Sequence, residues 1–356
     1  MAQTTEGLVS SYDGTKIHYR SEGEGLALVM CNGILCSTGY WVYLRPFFRD
    51  RCRVVTWDYR GHGRSELPRH PANVTVGSFT SDLKAVLDVL GIQSAVLAGH
   101  SMGVQVILEF YRRHPEQTLG LIPILGTYGR PLSTFYGYTW PERLVPPLLR
   151  TGLQHADLLA RIVKPLLGTP LAVPVARMTG AIHQTLCPTP VMEDYFRHIA
   201  TLDFRMGFRA LLAISDHTAE DILSSIQVPT LIIAGEKDPF TPPSLSEAMW
   251  RAIPGAELLT IPEGTHTALI ENPALMHSRM EAFLRDHFAV HGYRPLRATK
   301  TPAGALSRER VRHKGSAKRK KTGFRRTSTP DKSSASGEAS PLRRSADVSR
   351  PDPPKP

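Results

Sequence analysis

The chain is poor in the patterns that mark several large function classes. Only four of its 356 residues are cysteine (Cys31, Cys36, Cys52 and Cys187), and no two form a CxxC pair. A disulfide scaffold is therefore not expected, and a reducing compartment, the cytoplasm, is the default. There is no HExxH and no paired Cys/His spacing, so no metal site is expected. The P-loop pattern GxxxxGK[ST] is missing. Gly61-His62-Gly63 and Gly23-Glu24-Gly25 both lack the third glycine of a dinucleotide fingerprint, so no nucleotide or other cofactor is expected. No apolar run reaches the ~18–20 residues that a membrane helix needs. The start of the chain, Met1 to Gly7, has no basic stretch followed by an apolar one, and no secretory signal is expected.

What is present is 41% hydrophobic and 21% charged residues, a composition that buries a large core. The net charge of +11 is unevenly placed. Residues 297–356 hold 17 Lys and Arg against 5 Asp and Glu, whereas the 296 residues before them hold 26 against 27. The high basicity thus belongs to a C-terminal segment rich in Ser, Pro, Lys and Arg, with Phe324 as its only aromatic residue. Such a segment buries too little apolar surface to offset its conformational entropy, and 293–356 is expected to be a disordered tail. Lys318-Arg319-Lys320-Lys321 is its densest cluster. Solvation alone accounts for such a run. A weak anionic partner, nucleic acid or an acidic membrane surface, is the functional alternative.

Ahead of the tail, short apolar strands alternate with amphipathic helices. Asp13-Gly14 suits a hairpin turn between Leu8–Tyr12 and Lys16–Arg20. Strands are expected at Leu26–Cys31, Arg53–Trp57, Ser94–Ala98, Leu119–Leu125, Thr230–Ala234 and Glu257–Ile261, and helices at Ser78–Leu90, Val104–Arg113 and Ala274–His287. This order implies an α/β fold, a mostly parallel sheet covered on both faces, with ligands bound beyond the carboxyl ends of the strands. From Gly129 to about Gln227 the alternation stops. Pro131, Pro141, Pro146-Pro147, Pro165, Pro170, Pro174, Pro188 and Pro190 cut that stretch into short helical pieces. The expected organisation is a core made of 1–128 and 228–292, with 129–227 as a helical cap over the sheet's upper edge.

Gly99-His100-Ser101-Met102-Gly103 lies between an expected strand and an expected helix. A sharp strand-to-helix turn leaves no room for side chains beside its apex, hence the two glycines. It lifts the Ser101 hydroxyl above the sheet and aims the Met102 N–H at a developing oxyanion. The same pattern also arises as an ordinary turn with an incidental serine. A serine at its ordinary pKa needs a base and an orienting acid. The strand Thr230–Ala234 runs into Gly235-Glu236-Lys237-Asp238, and Glu257–Ile261 runs into Pro262-Glu263-Gly264-Thr265-His266. Asp238 and His266 are the candidates, at strand ends on the same edge as Ser101 and in the chain order Ser, Asp, His. Glu236 and Glu263 are reserve acids. In the loop after Leu26–Cys31, Gly33 allows close backbone approach, and the Ile34 N–H is the candidate second oxyanion donor. Cys31 and Cys36 read as packing residues, and so do most aromatics of 129–227 (Phe135, Tyr136, Tyr138, Trp140 and others), some of which could line an acyl pocket.

These residues resemble the α/β-hydrolase fold superfamily over roughly Leu8 to Val290. Asp58-Tyr59-Arg60-Gly61-His62-Gly63-Arg64-Ser65 is similar to the Asp-x-Arg-Gly-x-Gly-x-Ser loop of its esterase, lipase and haloperoxidase-like branches. Val228 to Asp238 with Thr241-Pro242-Pro243 is similar to the family's acid-bearing strand and turn. The chain departs at Asn32, where the family usually has His, and at Val104, where many members have Gly. A serine at 101 argues against the branches that use aspartate there. The resemblance implies cofactor-free hydrolysis of a carboxylic ester or related small acyl substrate through an acyl-enzyme on Ser101. Acyl transfer, perhydrolysis and carbon–carbon bond hydrolysis remain open for the same three residues. A non-catalytic binding protein on this scaffold, with an anion-binding tail, is the alternative of a different class.

Overall fold

The computed structural model describes residues 4–295. The basic segment 297–356, on which the tail expectations fall, lies outside the described residues. Eight strands form one sheet: β1 Thr4–Ser10, β2 Lys16–Glu22, β3 Ala27–Cys31, β4 Arg53–Trp57, β5 Ala95–His100, β6 Thr118–Ile124, β7 Leu231–Gly235 and β8 Glu257–Ile261. They pair in the order β1-β2-β4-β3-β5-β6-β7-β8. β1 and β2 are the hairpin expected around Asp13-Gly14, and β2 is antiparallel to β4. From β4 across to β8 all neighbours are parallel.

Alternation along the strands builds two cores. Leu28, Met30, Val54, Val96, Ala98 and Ile233 face one side of the sheet. Val29, Val55, Leu97, Leu121 and Ile232 face the other. Burying each such side chain contributes about 1.5–3 kcal/mol, so both faces must be covered. The helices that do so are α1 Leu44–Phe48, α2 Val76–Val89 and α3 Met102–Arg113, followed later in the chain by the helices over 243–252, 268–271 and 273–288. The second core takes Phe79 and Leu83 of α2 and Ile107 and Phe110 of α3. The first takes Leu44 and Phe48 of α1.

Between β6 and β7 the chain forms α4 Pro141–Gln154, α5 Ala156–Leu167, α6 Ala172–Met178, α7 Thr189–Thr201 and α8 Phe204–Asp216. After β7 come α9 Pro243–Ala252, α10 Ala268–Glu271 and α11 Pro273–Phe288. Met276, Met280 and Phe283 of α11 pack into the core beside α1. The helical excursion has a neck. Gly129 and Thr218 form an antiparallel bridge, Ala219 N–H donates to Tyr128 O at 2.8 Å, and Arg130 N–H donates to His217 O at 3.3 Å. Leu223 and Ile226, beyond that neck, are buried in the sheet's core. The neck bonds therefore close near 217, ahead of the boundary at about Gln227 expected from where the strand signals resume. At the other end Tyr293 is buried, one residue past the expected core limit. Among the described residues no single helix is long and apolar enough to cross a membrane.

The strand order reverses at β3. Its chain continues to β4 on one side, and β5 lies on its other side. The usual ligand position in such sheets lies outside the strand ends at this reversal, between the loops that leave the two strands. Asn32–Leu35 leaves β3, and Ser101 follows β5.

Candidate active site

Ser101 sits between the last residue of β5 and the first of α3, at φ 53° and ψ −116°. A serine in that region is strained by of order 1–3 kcal/mol and persists only where its surroundings hold it. They do. Ser101 N–H donates to Ile124 O, and Val104 N–H donates to Ser101 O, both at 3.0 Å. A Cβ on Gly99 would fall 2.3 Å from Gly103 O, and one on Gly103 would fall 2.3 Å from Cys31 O. Both glycines of the expected turn are thus required by close approach of backbone.

His266 and Asp238 arrive from the loops after β8 and β7. His266 Nε2 lies 2.9 Å from Ser101 Oγ, and His266 Nδ1 lies 2.8 Å from Asp238 Oδ2. The Asp238 side chain is fully buried. Its carboxylate also accepts the N–H groups of Phe240 and Thr241 and the Thr241 hydroxyl, at 2.8–3.0 Å. These bonds fix the carboxylate so that the imidazole carries its proton on Nδ1 and leaves Nε2 to accept from the serine. The arrangement can pass the Ser101 proton to His266 while Asp238 stabilises the resulting imidazolium. Of the reserve acids, Glu236 is exposed and accepts Glu263 N–H at 2.9 Å, and Glu263 lies near Lys237. Neither faces the imidazole.

The backbone N–H of Met102 is at the first helical position of α3, where no intrahelical acceptor exists, and the helix dipole adds positive potential there. Ile34 lies in the turn after β3. A Cβ on Gly33 would come within 3.3 Å of Ser101 Cβ, so this turn runs directly beside the serine. Leu35, at φ 61°, continues the turn. Asn32 is buried at the start of this turn. Its amide donates to Trp57 O at 2.9 Å and accepts from Trp41 Nε1 at 2.6 Å, which ties the β3 loop to its neighbours. Cys31 and Cys36 are buried beside the loop, and burial pushes both thiols up to about 12. Among the described residues no group of three or more His, Cys, Asp or Glu side chains is placed to hold a metal ion.

A family profile described as the alpha/beta hydrolase fold matches residues 27–273. The chain belongs to the α/β-hydrolase family. It is an enzyme of the hydrolase type. It is 26% identical over 290 residues to a non-heme haloperoxidase of Rhodococcus erythropolis, a match covering 78% of this chain and 98% of the relative. Among solved structures it resembles an esterase from Exiguobacterium antarcticum, with a TM-score of 0.67, 20% identity, and coverage of 79% of this chain and all of that one. It also resembles an enzyme that degrades N-acyl homoserine lactones, with a TM-score of 0.62, 26% identity, and coverage of 78% and 100%.

Other parts of this α/β hydrolase near the serine were not anticipated from the sequence. Glu271 is buried and accepts Thr265 N–H at 3.0 Å, the hydroxyls of Thr265 and Thr267 at 2.5 Å each, and His183 N–H at 2.9 Å. It clasps the residues on both sides of His266. The available signal was a lone carboxylate in the apolar run Ala268-Leu269-Ile270. His100 Nε2–H donates to His266 O at 3.1 Å, and burial with the nearby His266 holds its imidazole well below the usual range, hence neutral. The Asp58–Ser65 stretch, singled out already in the sequence, is a brace behind the site. Asp58 accepts the N–H groups of Thr38 and Arg64 and pairs with His18. Arg60 is fully buried against Asp82. Several aromatics expected in the core are outside it, since Tyr138 and Trp140 are more than half exposed.

Proposed function

We propose that the protein hydrolyses a carboxylic ester, lactone or related acyl substrate through an acyl-enzyme on Ser101. His266 is the general base and then the acid, Asp238 orients the imidazole, and the N–H groups of Met102 and Ile34 receive the oxyanion. The observation that carries this reading is the continuous 2.9 Å and 2.8 Å contact from Ser101 Oγ through His266 to Asp238. The lactone-degrading relative supports the substrate class, because a lactone is a cyclic ester with the same electrophilic carbonyl. In the proposed reaction Ser101 Oγ attacks that carbonyl and His266 Nε2 takes its proton. Collapse of the tetrahedral intermediate expels the alcohol, which takes the proton back, and water then repeats the cycle to release the acid. The segment α4–α8 acts as a cap over the site. In support, Tyr195 of α7 packs on Tyr40 with centroids 5.5 Å apart and the rings tilted by 51°, and on α8 Met206 lies against Gly61 and Gly207 against Leu35. Phe135 stacks on Phe240, which meets the His266 ring edge-on and supplies an apolar wall.

The test is Ser101→Ala. Turnover of p-nitrophenyl acetate should fall by at least about a thousandfold with the thermal midpoint unchanged, and a fluorophosphonate probe should label the wild-type chain at Ser101 only. Undiminished turnover by the variant refutes the proposal.

A further inference from the structure

The outer side of the helical segment is unusually apolar for a surface. Large hydrophobic side chains normally appear there singly. Here Leu144 and Leu148 of α4, at 56% and 67% exposure, follow Trp140 at intervals of four. Leu158, Ile162 and Leu166 of α5 repeat the same spacing at 57–58%. Intervals of four keep each set on one helix face. The opposite faces of α4 and α5 pack on α7 and α8, so these stripes have no partner in the fold. Leu171, Val175 and Met178 extend the exposed apolar surface through α6. Together α5 and α6 reach the apolar composition of a membrane span, but a 94° bend separates them, which suits lying along a surface and not crossing it.

Charge selects the occupant. Between Tyr138 and Gly180 there are five basic and two acidic residues, a net of +3, although residues 1–296 as a whole carry −1. Arg143 and Arg150 flank the α4 stripe and Arg161 flanks that of α5. All three are exposed; among the described residues Arg161 acts electrostatically on Asp157 four residues before it, at longer range than a direct ion pair. Of the two acids, Asp157 is already paired with Arg205 of α8 at 2.6 Å. A second copy of this face would oppose positive charge to positive charge, and so would the chain's own C-terminal segment, with its net +12. An anionic surface with an apolar interior satisfies both the stripes and the arginines, whose stems lie along apolar surface while the guanidinium groups reach phosphates. Exposed Tyr138 and Trp140 have the amphipathic rings favoured at such a boundary.

We propose that the outer face of α4, α5 and α6 docks on the headgroup region of an anionic lipid bilayer. The proposal does not rest on the assignment of Ser101, and it is read without turnover. The full-length chain is mixed with vesicles of phosphatidylcholine containing phosphatidylglycerol, or of phosphatidylcholine alone, and bound protein is measured by co-sedimentation. The key variant is Leu148→Gln with Leu158→Gln and Ile162→Gln. It changes no charge, alters only exposed positions and leaves the C-terminal segment intact. The wild type should bind the anionic vesicles and the variant should bind them about tenfold or more weakly, with unchanged thermal midpoint and unchanged turnover of a soluble ester. A second variant, Arg143→Gln with Arg150→Gln and Arg161→Gln, should lose the preference for anionic over neutral vesicles. Equal binding by the wild type and the apolar triple variant would overturn the proposal, because charge elsewhere in the chain then suffices. So would absence of wild-type binding, or a dimer in sedimentation velocity that the triple variant abolishes without any vesicle association.

Discussion

Glu271→Gln is the perturbation that asks most of the site. The substitution keeps the shape of the side chain and removes its charge. In the protein four donors converge on two carboxylate oxygens: the N–H groups of Thr265 and His183 and the hydroxyls of Thr265 and Thr267. An amide offers one oxygen and one NH2. With the oxygen placed to keep the hydroxyls and His183, the NH2 faces the Thr265 N–H, donor against donor. At least one charge-assisted bond is lost, worth about 1.5–3 kcal/mol, and a buried donor is left unsatisfied. The expected loss of stability is therefore about 2–4 kcal/mol. Thr265 and Thr267 bracket His266, whose ring must meet Ser101 and Asp238 at once, so loosening this loop costs positioning. Displacement of catalytic groups by about 1 Å costs up to about a hundredfold. We expect kcat to fall ten- to a hundredfold with KM little changed, and labelling by a fluorophosphonate to slow in parallel. Assays are run below the variant's unfolding midpoint, with circular dichroism at the same temperature. Wild-type kcat in a folded Glu271→Gln variant, or activity lost only in proportion to the unfolded fraction, refutes the argument.

Gly33→Ala places a Cβ 2.9 Å from His100 Nδ1 and 3.3 Å from Ser101 Cβ, so kcat for a p-nitrophenyl ester should drop while the stability loss measured by urea stays at about 1–3 kcal/mol. Asp82→Asn removes one of the two carboxylates on the fully buried Arg60 guanidinium, leaving Asp13 at 2.8 Å as its ion-pair partner, and should cost about 1.5–3 kcal/mol in urea unfolding. Burial lowers the His62 pKa from 6.5 to about 4, so below pH 6.5 the unfolded chain takes up a proton that the folded chain refuses. Its contribution is complete above pH 6.5 and is lost as pH falls to 4, a decline of about 3 kcal/mol, to which His100 adds in the same sense. Denaturant midpoints at several pH values should show a shallower decline for His62→Gln, and an unchanged slope would count against it.

Much of the site's geometry was legible because each of its parts depends on local backbone. The Gly99–Gly103 pattern falls between an apolar strand signal and a helix signal, and its turn admits no side chain at the two glycines that flank the apex. Asp238 and His266 could be ranked from position alone, since both follow apolar strands on the same edge. What separates Asp238 from Glu236 and Glu263 is not local. Asp238 is held by Phe240, Thr241 and His266 in a buried pocket, while the two glutamates turn outward and meet each other. Three carboxylates within a few residues of two strand ends carry the same periodicity, and only packing decides among them.

The helical segment was less legible for a related physical reason. Proline spacing locates where helices begin and break, yet it is silent about which residues close the neck, a matter of bonds between Tyr128–Arg130 and His217–Ala219 that join positions some ninety apart. Apolar periodicity has a further ambiguity. A stripe at intervals of four reads the same whether it faces a core or faces outward, and on composition alone Trp140 and Tyr138 belonged inside. The distinction appears only when the opposite face is seen to be occupied. Once α7 and α8 have taken one side of α4 and α5, the remaining Leu144, Leu148, Leu158, Ile162 and Leu166 can be covered only from outside the fold. Keeping that much apolar surface wet carries a cost of about 25 cal/mol for each Å² that could be buried, and it is this unrelieved cost, joined to exposed arginines along the same edge, that gives the outer face its proposed attraction for a bilayer.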